Sequence, residues 1–249
     1  MSHRAHDYAH LVRRWRAVAS ESGLKLASFA QAAAFDVCFL RTPALTEENG
    51  LYISAGIHGD EAGSTEGLVT WAEKHAARLA ELPLLIFPCL NPWGLTQNLR
   101  TNEAGLDLNR TFVRDDVPVT RALRELLAPY RFALSLTLHE DYDGQGVYLY
   151  EVRREQPYWG ELVLAKAARH LPIDPRRRID ISTVRDGIIR RHFNARRAAK
   201  LGGYPEAVYL HQHHARRSIT FETPSEFALE RRVAAQAAAI EVCARLATK

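Results

Sequence analysis

The stretch LYISAGIHGDE, residues 51–61, decides how the rest of the chain is read. Leu51 to Ile57 is uncharged and mostly apolar, and a short unbroken run of that kind reads as a strand buried on both faces. His58-Gly59-Asp60-Glu61 then crowds ionisable groups into a turn, and apolar spacing predicts a helix over Ser64–Leu79 with Ser64 or Thr65 as its N-cap. Strand, polar turn and helix in that order form the repeating unit of an α/β sheet.

The same alternation extends outward in both directions. Strands are predicted at Phe35–Leu40, Leu84–Pro88, Phe132–Leu138, Val147–Val152 and Ser218–Phe221, and helices at Val119–Ala128, Tyr158–His170 and Ser225–Leu246, the last with Ser225 behind Pro224. No internal repeat or Gly/Ser-rich linker interrupts them, so a single domain spanning residues 1–249 is expected. Its fold class is α/β, with a mixed, mostly parallel central sheet and helices on both faces. Ligands in such sheets gather at the carboxyl ends of strands.

Composition narrows the partners. Hydrophobic residues at 47% and charged residues at 25% exclude a disordered or low-complexity chain. The formal charge of +4 comes from Arg pairs scattered from Arg13-Arg14 to Arg231-Arg232 among 29 acids, so no nucleic acid partner is expected. The denser basic stretch of Arg176–Arg178, Arg190-Arg191 and Arg196-Arg197 reads as solvated surface. Charged residues break up Met1–Ala30, which therefore lacks the apolar segment of a signal peptide, and no run approaches a membrane span. Cys38, Cys89 and Cys243 are too far apart and too few for a disulfide framework. A soluble cytoplasmic protein is the expectation.

Three ionisable residues follow three predicted strands: His58, His139 and Glu222. His58 and Glu61, three apart, can reach one ion where a helix begins, and His139 can add a distant third ligand. Two imidazoles and a carboxylate with one position left open are the donor set of a catalytic zinc site.

Further motifs follow in order: Asn91-Pro92-Trp93-Gly94, Arg100, Asp107-Leu108-Asn109-Arg110, His139 at a strand end, and Thr220-Phe221-Glu222-Thr223-Pro224. With these residues in this order the chain resembles the M14 family of zinc carboxypeptidases, and within it the short bacterial forms that include murein peptide amidases. The resemblance implies one Zn2+ per chain held by His58, Glu61 and His139. It further implies Arg100 as polariser of the scissile carbonyl, Asn109 and Arg110 as anchors for a substrate carboxylate, and Glu222 as general base toward a zinc-activated water. Amide hydrolysis needs these types: a metal that lowers the pKa of water, a carboxylate that moves a proton, and a cation facing the developing oxyanion. The Arg110 guanidinium offers a planar fork suited to a carboxylate.

The resemblance also has gaps. After His139 the family's peptidases commonly continue Ser-Tyr, whereas here Glu140-Asp141-Tyr142-Asp143-Gly144 follows. Those acids read equally as support for the ligand imidazole, as an attractor for a substrate amino group, or as an Asx-type turn. Tyr204 and Tyr209 are both candidates for a substrate-contacting tyrosine, with Gly202-Gly203 as a hinge and Tyr204 preferred. His211, His213 and His214 read as entrance or exposed residues.

The expected activity is a metallocarboxypeptidase hydrolysing an amide bond beside a free carboxylate in a short peptide, a murein peptide among the candidates. The alternative is a deacylase of the aspartoacylase/succinylglutamate desuccinylase type acting on an N-acyl amino acid. Those enzymes share the zinc set and the Asn-Arg motif but carry a β-rich segment after the catalytic Glu. Here the 27 residues after Glu222 read as one helix with Leu229, Val233, Ala237, Ile240 and Ala244 on a common face.

Overall fold

An eight-stranded sheet lies between two layers of helices in the computed structural model, which describes residues 4–190 and 203–248. The strands are β1 (Leu26–Ala32), β2 (Phe35–Arg41), β3 (Leu51–Ser54), β4 (Leu84–Phe87), β5 (Leu134–Asp141), β6 (Tyr148–Arg153), β9 (Ile188–Arg190) and β10 (Arg217–Pro224), with β7 (Arg178–Ile179) and β8 (Ser182–Thr183) forming a separate pair. The helices are α1 (Tyr8–Glu21), α2 (Ala62–His75), α3 (Pro92–Gln97), α4 (Pro118–Leu127), α5 (Gly160–Ala167), α6 (Glu206–His213) and α7 (Leu229–Ala247). The strand order is β1-β2-β4-β3-β5-β10-β6-β9, and the central run β4-β3-β5-β10 is parallel.

Side-chain alternation divides the core. Leu51, Ile53, Leu84, Ile86, Leu134 and Leu136 face Trp15, Leu68, Trp71, Val163 and Ile240 from α1, α2, α5 and α7. Tyr52, Leu85 and Phe87 face the other way, toward Leu108, Phe112, Leu123, Leu127 and Leu210. Each such side chain, buried fully, contributes roughly 1.5–3 kcal/mol, which is why β3 and β4 show no polar alternation.

The topology sets the place of the site. From β3 the chain crosses through α2 to β4 on one side, then returns to β5 on the other, so the connections diverge at β3. Such a reversal opens a crevice beyond the carboxyl ends of the strands.

Several boundaries differ from expectation. The strand predicted to reach Ile57 stops at Ser54, because Gly56 turns the chain at φ +61°, a conformation glycine adopts without penalty. The N-cap of α2 is Glu61, and Ser64 and Thr65 lie buried inside the first turns. α7 begins at Leu229, with Ala228 as its N-cap, since β10 continues through Pro224. His139 and Glu222 accordingly lie within β5 and β10 rather than after them. α1 was not predicted, since frequent Arg and His mask its stripe of Leu11, Trp15 and Val18; Asp7 caps it by accepting from the His10 N–H at 2.8 Å.

All three cysteines are buried and free. Among the described residues no helix is long and apolar enough to cross a membrane. Of the basic stretch, Arg176 is not free surface, since it bonds both Asp174 and Asp141. Arg191, Arg196, Arg197 and Gly202 lie outside the described residues.

Candidate metal centre and active site

β3 hands the chain to His58 across Ala55-Gly56-Ile57, a segment fixed by the Asn91 N–H donating to the Gly56 carbonyl at 2.8 Å. Glu61 sits where α2 starts, and His139 comes from β5. All three are at most 5% exposed, and their donor atoms lie within 4.8 Å of one another. His58 Nδ1 lies 2.5 Å from Glu61 Oε1 and His139 Nδ1 lies 2.9 Å from Glu61 Oε2, so both rings turn the same nitrogen to one carboxylate. Two neutral-capable imidazoles and a carboxylate converging in a buried corner fit a divalent metal of the zinc type.

The far side of His58 faces a carboxylate too. Its Nε2 lies 3.3 Å from Asp107 Oδ1 without hydrogen-bond geometry, so that Nδ1 is the nitrogen turned to Glu61 and placed to ligate. Burial pushes the His58 pKa down, but Glu61 and Asp107 outweigh it and raise it to about 9. Burial likewise opposes charge on Asp107, yet the His58 ring, Arg100 and Arg110 hold its carboxyl below the usual range. Arg100 reaches the same corner, with Nε 3.2 Å from Asp107 Oδ2 and one terminal nitrogen 3.6 Å from Glu61 Oε1. Nothing in the sequence singles out Asp107 beyond its place two residues before Asn109.

Glu222 faces the centre from β10, in register with His139 on one side and Tyr148 on the other. Burial raises its pKa; the Glu61 and Asp141 carboxylates add to that rise, while His139 and Arg100 oppose it. A carboxyl shifted toward neutrality is suited to taking and returning a proton.

The three acids after His139 part company. Asp141 accepts from the Asp143 N–H at 3.0 Å in an Asx turn, and also from Tyr148 and Arg176 at 3.0 and 2.9 Å. Asp143 is exposed. Glu140 points inward and accepts from the Gly63 N–H at 2.7 Å, from Thr223 at 3.0 Å and from Arg232 at 2.8 Å. It therefore pins the first turn of α2, the turn that presents Glu61, to β5 and α7. A Cβ at Gly63 would lie 2.3 Å from Glu140 Oε1, so only glycine permits that approach. Glu140→Ala leaves Arg232 without its buried partner and should lower unfolding stability by about 3 kcal/mol, readable in urea titration. An unchanged midpoint would mean that Glu140 does not anchor the helix.

Asn109 and Arg110 occupy a 3-10 turn, Leu108–Arg110, whose start is capped by Asp107 Oδ1 accepting from the Asn109 N–H at 2.9 Å. Tyr204 lies alongside: its N–H donates to the Arg110 carbonyl at 3.1 Å, and its carbonyl accepts from Phe112 at 3.2 Å. Tyr209 instead packs against Phe112, His213 and His214 with ring centroids 4.9–5.7 Å away. Of the two tyrosines, Tyr204 is the one beside Asn109 and Arg110. The expectation that the neighbouring histidines are exposed or line the entrance needs correction, since His211 and His214 are buried and only His213 is exposed. Burial lowers the pKa of His211 to about 4 and pushes that of His214 down as well. Glu206 is buried as well, which an acid after Pro205 gives no hint of in the sequence.

Residues 47–143 match the family described as the Succinylglutamate desuccinylase/Aspartoacylase catalytic domain. No curated protein matches the chain at a significant level. Among solved structures, a provisionally assigned metallopeptidase from Shewanella amazonensis SB2B is 25% identical with a TM-score of 0.86, covering 98% of this chain and 94% of that one. A metallo-carboxypeptidase from Burkholderia cenocepacia is 19% identical with a TM-score of 0.68, over 94% of this chain and 67% of that one. The murein-tripeptide amidase of Escherichia coli O157 is 18% identical with a TM-score of 0.61, over 90% and 92%. With a triad that could hold a metal ion at the sheet's carboxyl edge and these likenesses along nearly its whole length, the chain has the M14-like carboxypeptidase fold in its short form.

Proposed function

We propose that the protein is a zinc metallocarboxypeptidase that hydrolyses the amide bond beside a free carboxylate in a short peptide, murein peptides being one such class. The observation that carries this reading is the pairing of Glu222 with the ligand His139 on adjacent parallel strands, with Asn109 and Arg110 close to the same corner through Asp107. Zinc held by His58, Glu61 and His139 would supply Lewis acidity at the scissile bond. Glu222 accepts the proton of the attacking water and returns it to the leaving amine. Arg100 faces the oxygen on which charge develops and favours that state over the ground state. Arg110 and Asn109 grip the carboxylate of the leaving residue, and Tyr204 closes over it.

The N-acyl amino acid alternative keeps the same anchors, and the matched residues 47–143 contain His58, Glu61, His139, Asn109 and Arg110, though not Glu222. What favours a peptide is the likeness, over nearly the whole chain, to solved structures named metallopeptidase and metallo-carboxypeptidase, the helix Leu229–Ala247 packed on the sheet and on α2 included.

A panel of short peptides and N-acyl amino acids separates the two. A peptidase should accept a peptidyl group on the acyl side and slow when that group is truncated, because remote contacts help to place the scissile carbonyl. Amidating the C-terminus should abolish turnover, and Arg110→Lys should reduce kcat/KM by about tenfold or more, since an ammonium cannot replace the two-pronged contact. Rapid cleavage of acetyl- or succinyl-amino acids with no peptide turned over would transfer the assignment to the deacylase.

A further inference from the structure

Glu206, the first residue of α6, is 1% exposed and takes no part in the chemistry above. Its Oε1 accepts from the Tyr52 hydroxyl at 2.5 Å and the Ser54 hydroxyl at 2.6 Å, both buried on β3. Its Oε2 makes no hydrogen bond among the described residues, so this is a costly acid to bury.

The backbone of the same residue reaches the substrate anchors. The first N–H groups of a helix have no partner within it, and the N-cap here is Pro205, which offers no side-chain acceptor. The Glu206 N–H donates instead to Asn109 Oδ1 at 2.8 Å. Only an oxygen can accept that bond, so the contact decides which way the Asn109 amide faces and turns its Nδ2 donors away from α6. β3, which clamps the Glu206 carboxyl through Tyr52 and Ser54, is also the strand that delivers His58.

We propose that Glu206 is a positioning residue: its clamped carboxyl fixes the start of α6 so that its backbone N–H orients the Asn109 amide toward the substrate carboxylate, at a set distance from the metal ligands. The proposal rests on reading Asn109 as a carboxylate anchor, which the peptidase and deacylase assignments share. A carboxylate on a leaving residue lies a fixed number of bonds from the scissile carbonyl, so an anchor tied to the strand that presents a ligand keeps both ends in register. The competing role for Glu206 is direct attraction of a cationic group on the substrate through its unbonded oxygen.

Metal-loaded wild type, Glu206→Gln, Glu206→Ala, Asn109→Ala and the Glu206→Ala/Asn109→Ala pair are assayed on the best substrate of either class, with its carboxamide as inhibitor. Glu206→Ala should raise KM about tenfold with little change in kcat, and should narrow the gap in binding between the substrate and its carboxamide, read from inhibition by the carboxamide. Glu206→Gln keeps an acceptor for Tyr52 and Ser54 and should stay within about threefold of wild type, whereas a direct charge contact would be lost. In the Asn109→Ala background Glu206→Ala should change kcat/KM by less than about twofold, because the two act as one unit. Additive losses, Gln as harmful as Ala, or altered leaving side-chain choice with the carboxylate preference intact would each overturn the proposal. Tyr52→Phe with Ser54→Ala loosens the same clamp and replaces Glu206→Ala if that variant does not fold.

The link can also be read without turnover, which separates its failure from failure of the assigned reaction. The side-chain amide resonances of Asn109 should shift in Glu206→Ala and stay in place in Glu206→Gln; unmoved resonances in Glu206→Ala overturn the link even if no tested substrate is cleaved.

Discussion

Glu222→Gln should retain bound metal and lose turnover by about a hundredfold or more, the scale set by removing a positioned general base. Gln keeps the shape of the side chain and its place in β10, where backbone register with His139 and Tyr148 fixes its direction. It cannot accept a proton. The proposed ligands His58, Glu61 and His139 come from other elements, so metal content should match that of wild type. The effect should fall on kcat, with KM changed little, because the proposed anchors Asn109 and Arg110 stand on a separate turn. Turnover near the wild-type rate with full metal content would remove Glu222 from the mechanism.

How far the site could be read in advance depended on whether the signal was local. The strand before His58 declared itself because a parallel strand buried on both faces admits almost no polar residue, and β4 announced itself for the same reason. His58 and Glu61 were legible as a pair since three residues separate them. His139 and Glu222, far apart in sequence, were joined to them only by motif order, and their direct pairing across β5 and β10 is a register fact that no local pattern carries.

The rest was hidden in side-chain partnerships. Glu140 looked like one of three equivalent acids; its meaning depends on Arg232, 92 residues away, and on the missing side chain at Gly63. Glu206 depends on Tyr52 and Ser54 across more than 150 positions. α1 was overlooked because its apolar stripe is narrow beside the many cations, although Trp15 proves wholly buried. Buried charge is paired by tertiary structure, so a sequence shows the charge and withholds the partner.

His139→Ala is the variant that tests the centre itself. Purified wild type should hold one zinc per chain by elemental analysis, because one buried triad is the only group of metal-binding geometry among the described residues. His139 is one of three protein donors, and the other two are neighbours on the α2 side of the crevice, so its loss leaves a two-point site open to chelators. Most of the metal should be lost under mild chelation, and hydrolysis should fall below detection whatever the substrate class. The fold should survive, since Gln236 grips the backbone carbonyl of residue 139 at 2.8 Å and β5 stays paired on both sides. Circular dichroism and a thermal melt would establish that. A folded His139→Ala protein that keeps its zinc through chelation would place the metal elsewhere, and with it the roles assigned to Arg100 and Glu222. Loss of metal with the fold intact would instead tie binding to the strand pair β5–β10, where ligand and base stand side by side.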